Sequence, residues 1–141
     1  MLALIAATTL MAACGDTANK PATSSDAPAA QRLPNVLLAN LDGTAVAMPS
    51  LAGGVPLVVN YWYATCPPCK EEMPVLAALA DEFTGRVVFI GVNPQDDAPT
   101  ARRVAAERGA TYRQLLDRTQ RSVDALGLTG FPTTLVVRQD G

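Results

Sequence analysis

The spacing of hydrophobic residues predicts a series of short elements that begins near residue 36. Two apolar runs in "VLLANLDGTAVAM" lie on either side of Asp42 and Gly43, and an Asp-Gly pair in this setting is typical of a β-hairpin turn. The next run, "VPLVVNYWYA" (residues 55–64), is apolar almost throughout. Continuous apolarity over this length favours a strand that is buried on both faces, as in a parallel or mixed sheet.

The spacing then changes to a helical period. The apolar positions that recur at this period are Met73, Leu76, Ala80 and Phe83, with Val75 and Leu79 widening the apolar face. They predict a helix over residues 67–83 that ends before Gly85. The later segments predict, in order, a strand ("RVVFIGVN"), a helix stopped by Gly109 ("APTARRVAAERG"), an extended piece ("TYRQLLD"), a short helix ("TQRSVDALGL") and a last strand ("TTLVVRQ").

Alternation of strands and helices is the order of an α/β fold. We therefore expect one domain over residues 35–141, with a central mixed sheet flanked by helices. The chain stops at Asp140-Gly141, a hairpin turn signal with no strand after it. An apolar strand without its neighbour would leave an exposed edge. We therefore expect the domain to be incomplete at its C-terminus, lacking a strand and a covering helix.

The N-terminal segment has the composition of a secretory signal. Residues 1–14, "MLALIAATTLMAAC", are uncharged and mostly apolar or small, and too short to span a bilayer. The ending at Cys14 resembles a bacterial lipobox, which implies a signal peptide over residues 1–14 and a lipid on Cys14. Residues 15–34 are rich in Ala, Ser, Thr and Pro, a composition typical of a flexible tether. The expected location is extracytoplasmic, on the bacterial cell membrane, held there by the lipid.

The composition excludes several classes of site. The chain has no histidine, so a Cys/His zinc site and a histidine-dependent catalytic triad are both impossible. Haem attachment requires Cys-x-x-Cys-His, and here Lys70 follows Cys69. We expect no metal and no cofactor. The net charge is only −2 and no long basic run is present, which argues against a nucleic acid as partner.

Two of the three cysteines, Cys66 and Cys69, stand three positions apart in "TCPPCKEEMP". They follow a predicted buried strand and precede a predicted helix, with Pro67 in the first turn, where a proline costs no hydrogen bond. Unpaired N–H groups and the helix dipole favour a thiolate on Cys66. We expect Cys66 to be exposed and to attack a substrate disulfide, and Cys69, more covered, to resolve the mixed disulfide. Glu72 lies on the same helix face.

The segment "VVNYWYATCPPCKEEMP" resembles the active-site segment of thioredoxin-fold proteins, and most closely that of the TlpA/ResA-like, membrane-attached thiol–disulfide oxidoreductases. The segment "GFPTTLVV" (residues 130–137) resembles their second signature, a proline that faces the redox pair. The resemblance covers residues 33–141 and implies a thioredoxin-like fold. Thr65 departs from it, because the family commonly has tryptophan at this position.

The resemblance also implies roles for individual residues. It implies a redox-active disulfide between Cys66 and Cys69, a cis peptide bond before Pro132, and a Phe131 backbone that pairs with the substrate chain. Pro67 and Pro68, between the two cysteines, are expected at the substrate surface.

Proton handling in the expected site has two interpretations. Asn60 stands where thioredoxins usually carry a buried aspartate, and an amide cannot titrate. Glu72 is at a position where the family often has glutamate. It is either a proton acceptor for Cys69 or an ordinary solvated carboxylate.

The expected function is therefore that of a membrane-anchored thiol–disulfide oxidoreductase acting as a reductant of protein disulfides. Its partners are protein thiols or disulfides, such as those of apocytochrome c, and a membrane or thioredoxin-type electron donor. Both reductants and oxidants use this scaffold, so an oxidising, disulfide-forming protein stays open.

Three further kinds of protein are disfavoured by the same residues. A peroxiredoxin-like thiol peroxidase would have a Pro-x-x-x-Thr/Ser-x-x-Cys sequence around its reactive cysteine, and no such sequence precedes Cys66. A copper-binding module on this fold would need Cys-x-x-x-Cys and a histidine. A purely structural disulfide would not explain the facing Phe131-Pro132 turn.

Overall fold

The computed structural model of this chain describes residues 32–140. The predicted signal peptide (residues 1–14), its lipidated Cys14 and nearly all of the predicted tether (residues 15–34) lie outside the described residues. Within residues 32–140, no helix combines the length and the apolar character needed to cross a bilayer.

Six strands form one mixed sheet in the order β2-β1-β5-β4-β3-β6. Strands β3, β4 and β5 run parallel, while β1, β2 and β6 are joined to their neighbours in antiparallel fashion. The strands are β1 (Leu37–Asn40), β2 (Ala45–Ala47), β3 (Leu57–Tyr61), β4 (Val88–Asn93), β5 (Arg113–Leu116) and β6 (Thr133–Val137). The helices are α1 (Pro67–Glu82), α2 (Ala98–Glu107) and α3 (Arg121–Leu126), and a 3-10 turn spans Met48–Leu51. The predicted α/β class with a mixed sheet is confirmed.

The core lies in two layers, one on each face of the sheet. Alternate residues of a strand point to opposite faces, so Tyr61 and Trp62 belong to different layers, and both are fully buried. Helices α1 and α2 cover the layer that contains Trp62 and the two cysteines. Helix α3 covers the layer that contains Tyr61. The redox pair thus begins a helix that is packed directly against the sheet.

The buried side of α1 is narrower than the sequence predicted. Its buried residues are Cys69, Met73, Leu76 and Ala77. Val75 is 61% exposed and Leu79 is 36% exposed, so the expectation that they widen the apolar face is wrong. The helix turns about 100° per residue, which places Val75 about 200° around the axis from Met73. Val75 therefore lies on the solvent side.

Candidate active site

The position of Cys66 follows from the strand and helix that flank it. Strand β3 ends at Tyr61, a short turn follows, and Cys66 is the N-cap of α1 with extended backbone angles (φ −89°, ψ 105°). Pro67 and Pro68 occupy the first helical turn, where a missing N–H leaves no bond unmade. The backbone N–H of Cys69 donates to Sγ of Cys66 at 3.2 Å. The predicted placement of Cys66 at a helix N-terminus is confirmed.

Cys66 and Cys69 form a disulfide, with their Cα atoms 5.3 Å apart. Cys66 is only 2% exposed and Cys69 is fully buried. The expectation of an exposed Cys66 is therefore wrong for the disulfide form, because the pair packs in one apolar cluster with Trp62 and Met73. The exposed residues next to the pair are Thr65, Pro67 and Pro68.

The turn before β6 lies beside the turn before Cys66. The Phe131–Pro132 peptide bond is cis, as the resemblance implied. The ring of Phe131 meets the ring of Tyr63 edge to face, with centroids 5.6 Å apart, and it also packs against the cluster that contains the two cysteines. The fold thus brings residues separated by more than sixty positions in the sequence to one surface.

Glu72 and Asn60, which the sequence singled out separately, are hydrogen-bonded to each other. Nδ2 of Asn60 donates to the Glu72 carboxylate, and also to Oγ1 of Thr134 at 3.1 Å. Asn60 is 1% exposed, and Glu72 is half-buried. Burial raises the pKa of the Glu72 carboxyl, and the hydrogen bond from Asn60 offsets part of that rise. The arrangement can therefore hold a proton more readily than a solvated carboxylate can.

A second series of hydrogen bonds links the indole of Trp62 to Gln114 and Tyr112. Nε1 of Trp62 donates to Oε1 of Gln114 at 2.9 Å, and Nε2 of Gln114 donates to the carbonyl of Tyr112 at 3.1 Å. Burial raises the pKa of Tyr112, and the negative charge of Glu72 raises it further.

Asp96 is a residue of the site that the sequence reasoning missed. Its Oδ2 accepts from the backbone N–H of Ala64 at 2.6 Å and from Nδ2 of Asn93 at 2.7 Å. A signal was present, because Asn93 ends a predicted buried strand. If that strand runs parallel to the one before Cys66, the two end at the same edge of the sheet.

The fold and this site define a class: a thioredoxin-like domain with a Cys-x-x-Cys pair at a helix N-terminus and a cis-proline turn beside it. The chain belongs to the Redoxin family, whose sequence profile matches residues 23–141. It is similar to the thiol-disulfide oxidoreductase ResA of Halalkalibacterium halodurans, at 31% identity over 117 residues that cover 82% of this chain and 65% of the relative. ResA of Bacillus subtilis is 27% identical over 110 residues, covering 77% of this chain and 60% of the relative.

The chain thus spans less than two thirds of the length of these relatives. The solved structures that share its fold include the following two. A secreted disulfide oxidoreductase of Mycobacterium tuberculosis matches with a TM-score of 0.68 at 21% identity, over 76% of this chain and 78% of the other. The thioredoxin domain of a thiol-disulfide oxidoreductase from Bacteroides vulgatus matches with a TM-score of 0.70 at 22% identity, over 79% and 81%.

Proposed function

We propose that this protein is a thiol–disulfide oxidoreductase that exchanges disulfides with protein substrates through Cys66 and Cys69. The observation that carries the proposal is the position of the pair. Cys66 caps α1 and is bonded to Cys69 one turn further on, and Phe131, from the turn before β6, packs against the cluster that contains both cysteines. A helix N-terminus stabilises a thiolate, which is the form of cysteine that attacks disulfides.

The exchange has two steps. The Cys66 thiolate of the reduced protein attacks one sulfur of the substrate disulfide, which forms a mixed disulfide and releases the other sulfur as a thiolate. Cys69, as a thiolate, then attacks Sγ of Cys66, which releases the second substrate thiol and leaves the Cys66–Cys69 disulfide. Two electrons pass to the substrate. A membrane or thioredoxin-type donor must return two electrons before the next turnover.

Glu72 is the proposed proton acceptor for Cys69. It lies three residues further along α1, on the neighbouring turn, and burial raises its pKa, which makes it a better proton acceptor than a solvated carboxylate. Asn60 fixes the carboxylate by its hydrogen bond and cannot itself take the proton. Pro132 and the backbone of Phe131 are proposed to receive the substrate chain, together with the exposed Pro67 and Pro68.

The proposed setting is the outer side of the bacterial membrane, with the domain tethered through a lipid on Cys14 and acting as a reductant, for example of apocytochrome c. The lipobox-like sequence and the tether composition support this part. Replacing Cys14 with serine should move the protein from the membrane fraction to the soluble fraction. A Cys14→Ser variant that stays with the membrane would remove the lipid anchor from the proposal.

Reduction of insulin disulfides, with dithiothreitol as donor, tests the chemistry. Cys66→Ser should abolish the exchange, whereas Cys69→Ser should accumulate a mixed disulfide between Cys66 and the substrate, detectable by mass spectrometry. Cys14→Ser, which changes the third cysteine in the same way, is the matched control and should keep the exchange. Unchanged exchange in Cys66→Ser would contradict the proposal. Redox titration of the Cys66–Cys69 pair then gives the direction of electron flow, because a reduction potential near that of thioredoxin indicates a reductant.

A further inference from the structure

The turn between β3 and α1 is held by the end of the neighbouring strand. The backbone N–H of Trp62 donates to the carbonyl of Val92 at 3.1 Å, which extends the β3–β4 pairing by one residue. The backbone N–H of Cys66 donates to the carbonyl of Tyr63 at 3.2 Å, which closes the turn on itself. Between these two bonds, the backbone N–H of Ala64 donates to the carboxylate of Asp96 at 2.6 Å.

The Asp96 carboxylate is itself fixed in place. The same oxygen that binds Ala64 accepts from Nδ2 of Asn93. Asn93 is 1% exposed, and its Oδ1 accepts from the backbone N–H groups of Gln95 and Asp96 at 3.0 and 2.8 Å. The carboxylate is therefore set on the rigid end of β4. It reaches the turn only two residues before Cys66.

A fixed carboxylate at this place has an electrostatic consequence for the pair. The disulfide carries no charge, whereas the reduced pair carries a thiolate on Cys66 during exchange. A neighbouring negative charge disfavours a thiolate, and hydrogen bonds to one carboxylate oxygen do not remove that charge. The same contact that holds the turn therefore lowers the stability of the reduced form relative to the disulfide.

We propose that Asp96 is a positioning residue of the redox pair, which fixes the turn before Cys66 and biases the pair towards its disulfide form. The inference rests on the proposed thiol–disulfide exchange for its biological meaning, and it concerns how strongly reducing the site is. A more stable disulfide makes the protein a stronger reductant.

Two substitutions at Asp96 separate its two effects. Asp96→Asn removes the charge and keeps an oxygen that can accept from Ala64, whereas Asp96→Ala removes both. The matched control is Asp97→Asn, which makes the same change of charge one residue along. Asp97 is the exposed N-cap of α2, bonded to the N–H of Thr100 at 2.9 Å, and asparagine is as good an N-cap as aspartate.

The first readout is the equilibrium of the Cys66–Cys69 pair with glutathione at pH 8.5, where a thiol at a helix N-terminus is ionised. Removing one unit charge across a partly solvated site should favour the reduced pair by about three- to tenfold in Asp96→Asn. For a two-electron couple this raises the potential by about 14 to 30 mV. Asp97→Asn should shift the equilibrium by less than about twofold. Equal shifts in the two variants would overturn the electrostatic part.

The second readout is the rate at which each reduced variant attacks a model disulfide. Asp96→Ala should be slowed several-fold more than Asp96→Asn, because only alanine releases the turn. Equal rates in these two variants would overturn the proposal that Asp96 fixes the turn before Cys66. If Asp96→Ala does not fold, the glutathione equilibrium of Asp96→Asn still decides whether the charge of Asp96 favours the disulfide. The glutathione equilibrium needs no protein substrate. A wild-type protein inactive on insulin would therefore count against the proposed function alone.

Discussion

Replacing Gly91 with alanine is expected to break the hydrogen bond between Trp62 and Gln114, and Trp62 belongs to the same buried cluster as the disulfide. Gly91 lies in β4, between its sheet neighbours Asn60 on β3 and Gln114 on β5. A Cβ atom at Gly91 would lie 2.0 Å from Oε1, 2.8 Å from Cδ and 3.0 Å from Nε2 of Gln114. The side chain of Gln114 therefore occupies the space that only a glycine leaves open.

The size of the effect follows from these distances. Oε1 of Gln114 would have to move by about 1.4 Å to reach an ordinary contact of about 3.4 Å, and its bond to Nε1 of Trp62 is now 2.9 Å long. Such a shift leaves a buried indole N–H unpaired, at a cost of about 1–3 kcal/mol. Crowding in a packed core adds about 1–3 kcal/mol. A gain of about 0.4–1 kcal/mol comes from the less flexible unfolded chain. We expect Gly91→Ala to lower the free energy of unfolding by about 3 kcal/mol, within a range of about 1–6 kcal/mol.

Urea unfolding of the oxidised protein, followed by fluorescence, measures this change. Trp62 is the single tryptophan of the chain and is fully buried, so the signal reports on the site under test. Gly53→Ala is the matched control, because a Cβ at Gly53 would have no atom within 4 Å. That variant should be neutral or slightly more stable than the wild type. The slope of the free energy of unfolding against urea concentration should be the same in both variants as in the wild type.

A double-mutant cycle tests whether the cost passes through Gln114. In a Gln114→Ala background the space beside Gly91 is empty and the bond to Trp62 is already lost. Gly91→Ala should then cost less than about 1 kcal/mol. The reasoning is refuted if Gly91→Ala is within about 0.5 kcal/mol of the wild type, or if its full cost persists when Gln114 is alanine.

Three further predictions concern other parts of the structure. Burial raises the pKa of Glu72 above its value of 4.5 in the unfolded chain, so its charged form destabilises the fold. Glu72→Gln should therefore be as stable as the wild type at pH 4 and more stable than the wild type as the pH rises above 4.5. Urea unfolding at a series of pH values measures this difference in stability. A difference that does not change with pH would refute the prediction. Tyr61→Phe should lower the free energy of unfolding by about 1 kcal/mol, because it removes a buried hydrogen bond of 2.9 Å to Ser122. Ser122→Ala should lower it more, because the Ser122 hydroxyl also donates to Asp117. The reverse order in thermal unfolding would contradict this hydrogen-bond network. Leu76→Ala should cost about 2–4 kcal/mol and Val75→Ala less than about 1 kcal/mol, and equal costs would contradict the observed face of α1.

The elements that sequence reasoning placed well are those with local signals. Pro67 at the start of α1 and Gly85 after its end bounded the helix, which was predicted over residues 67–83 and observed at Pro67–Glu82. Gly109 was predicted to stop α2, and it has the left-handed backbone angle (φ 67°) that favours glycine there. The error concerned the face of α1, because apolar residues occur on both sides of this helix, Val75 and Leu79 among them on the exposed side, and only packing shows which side is buried.

In the candidate site, too, the features with local sequence signals could be predicted and those that depend on the sheet order could not. The N-cap position of Cys66 depends on a strand, a turn and a helix that are adjacent in the sequence, so it could be predicted. The contacts of Ala64 with Asp96, and of Trp62 with Gln114, depend on which strands are neighbours in the sheet. The order β5-β4-β3 brings residues 32 and 52 positions apart together. No local pattern carries that information.

The placement of charge around the pair bears on the direction of electron flow, which the motif alone left open. Asp96 holds the turn before Cys66 by its hydrogen bond to the backbone N–H of Ala64. Its negative charge disfavours a thiolate on Cys66 and does not act on an uncharged disulfide. The helix N-terminus acts in the opposite sense on Cys66. An oxidant needs a reduced form that is unusually stable, and the negative charge of Asp96 works against that, which supports the proposed reductant.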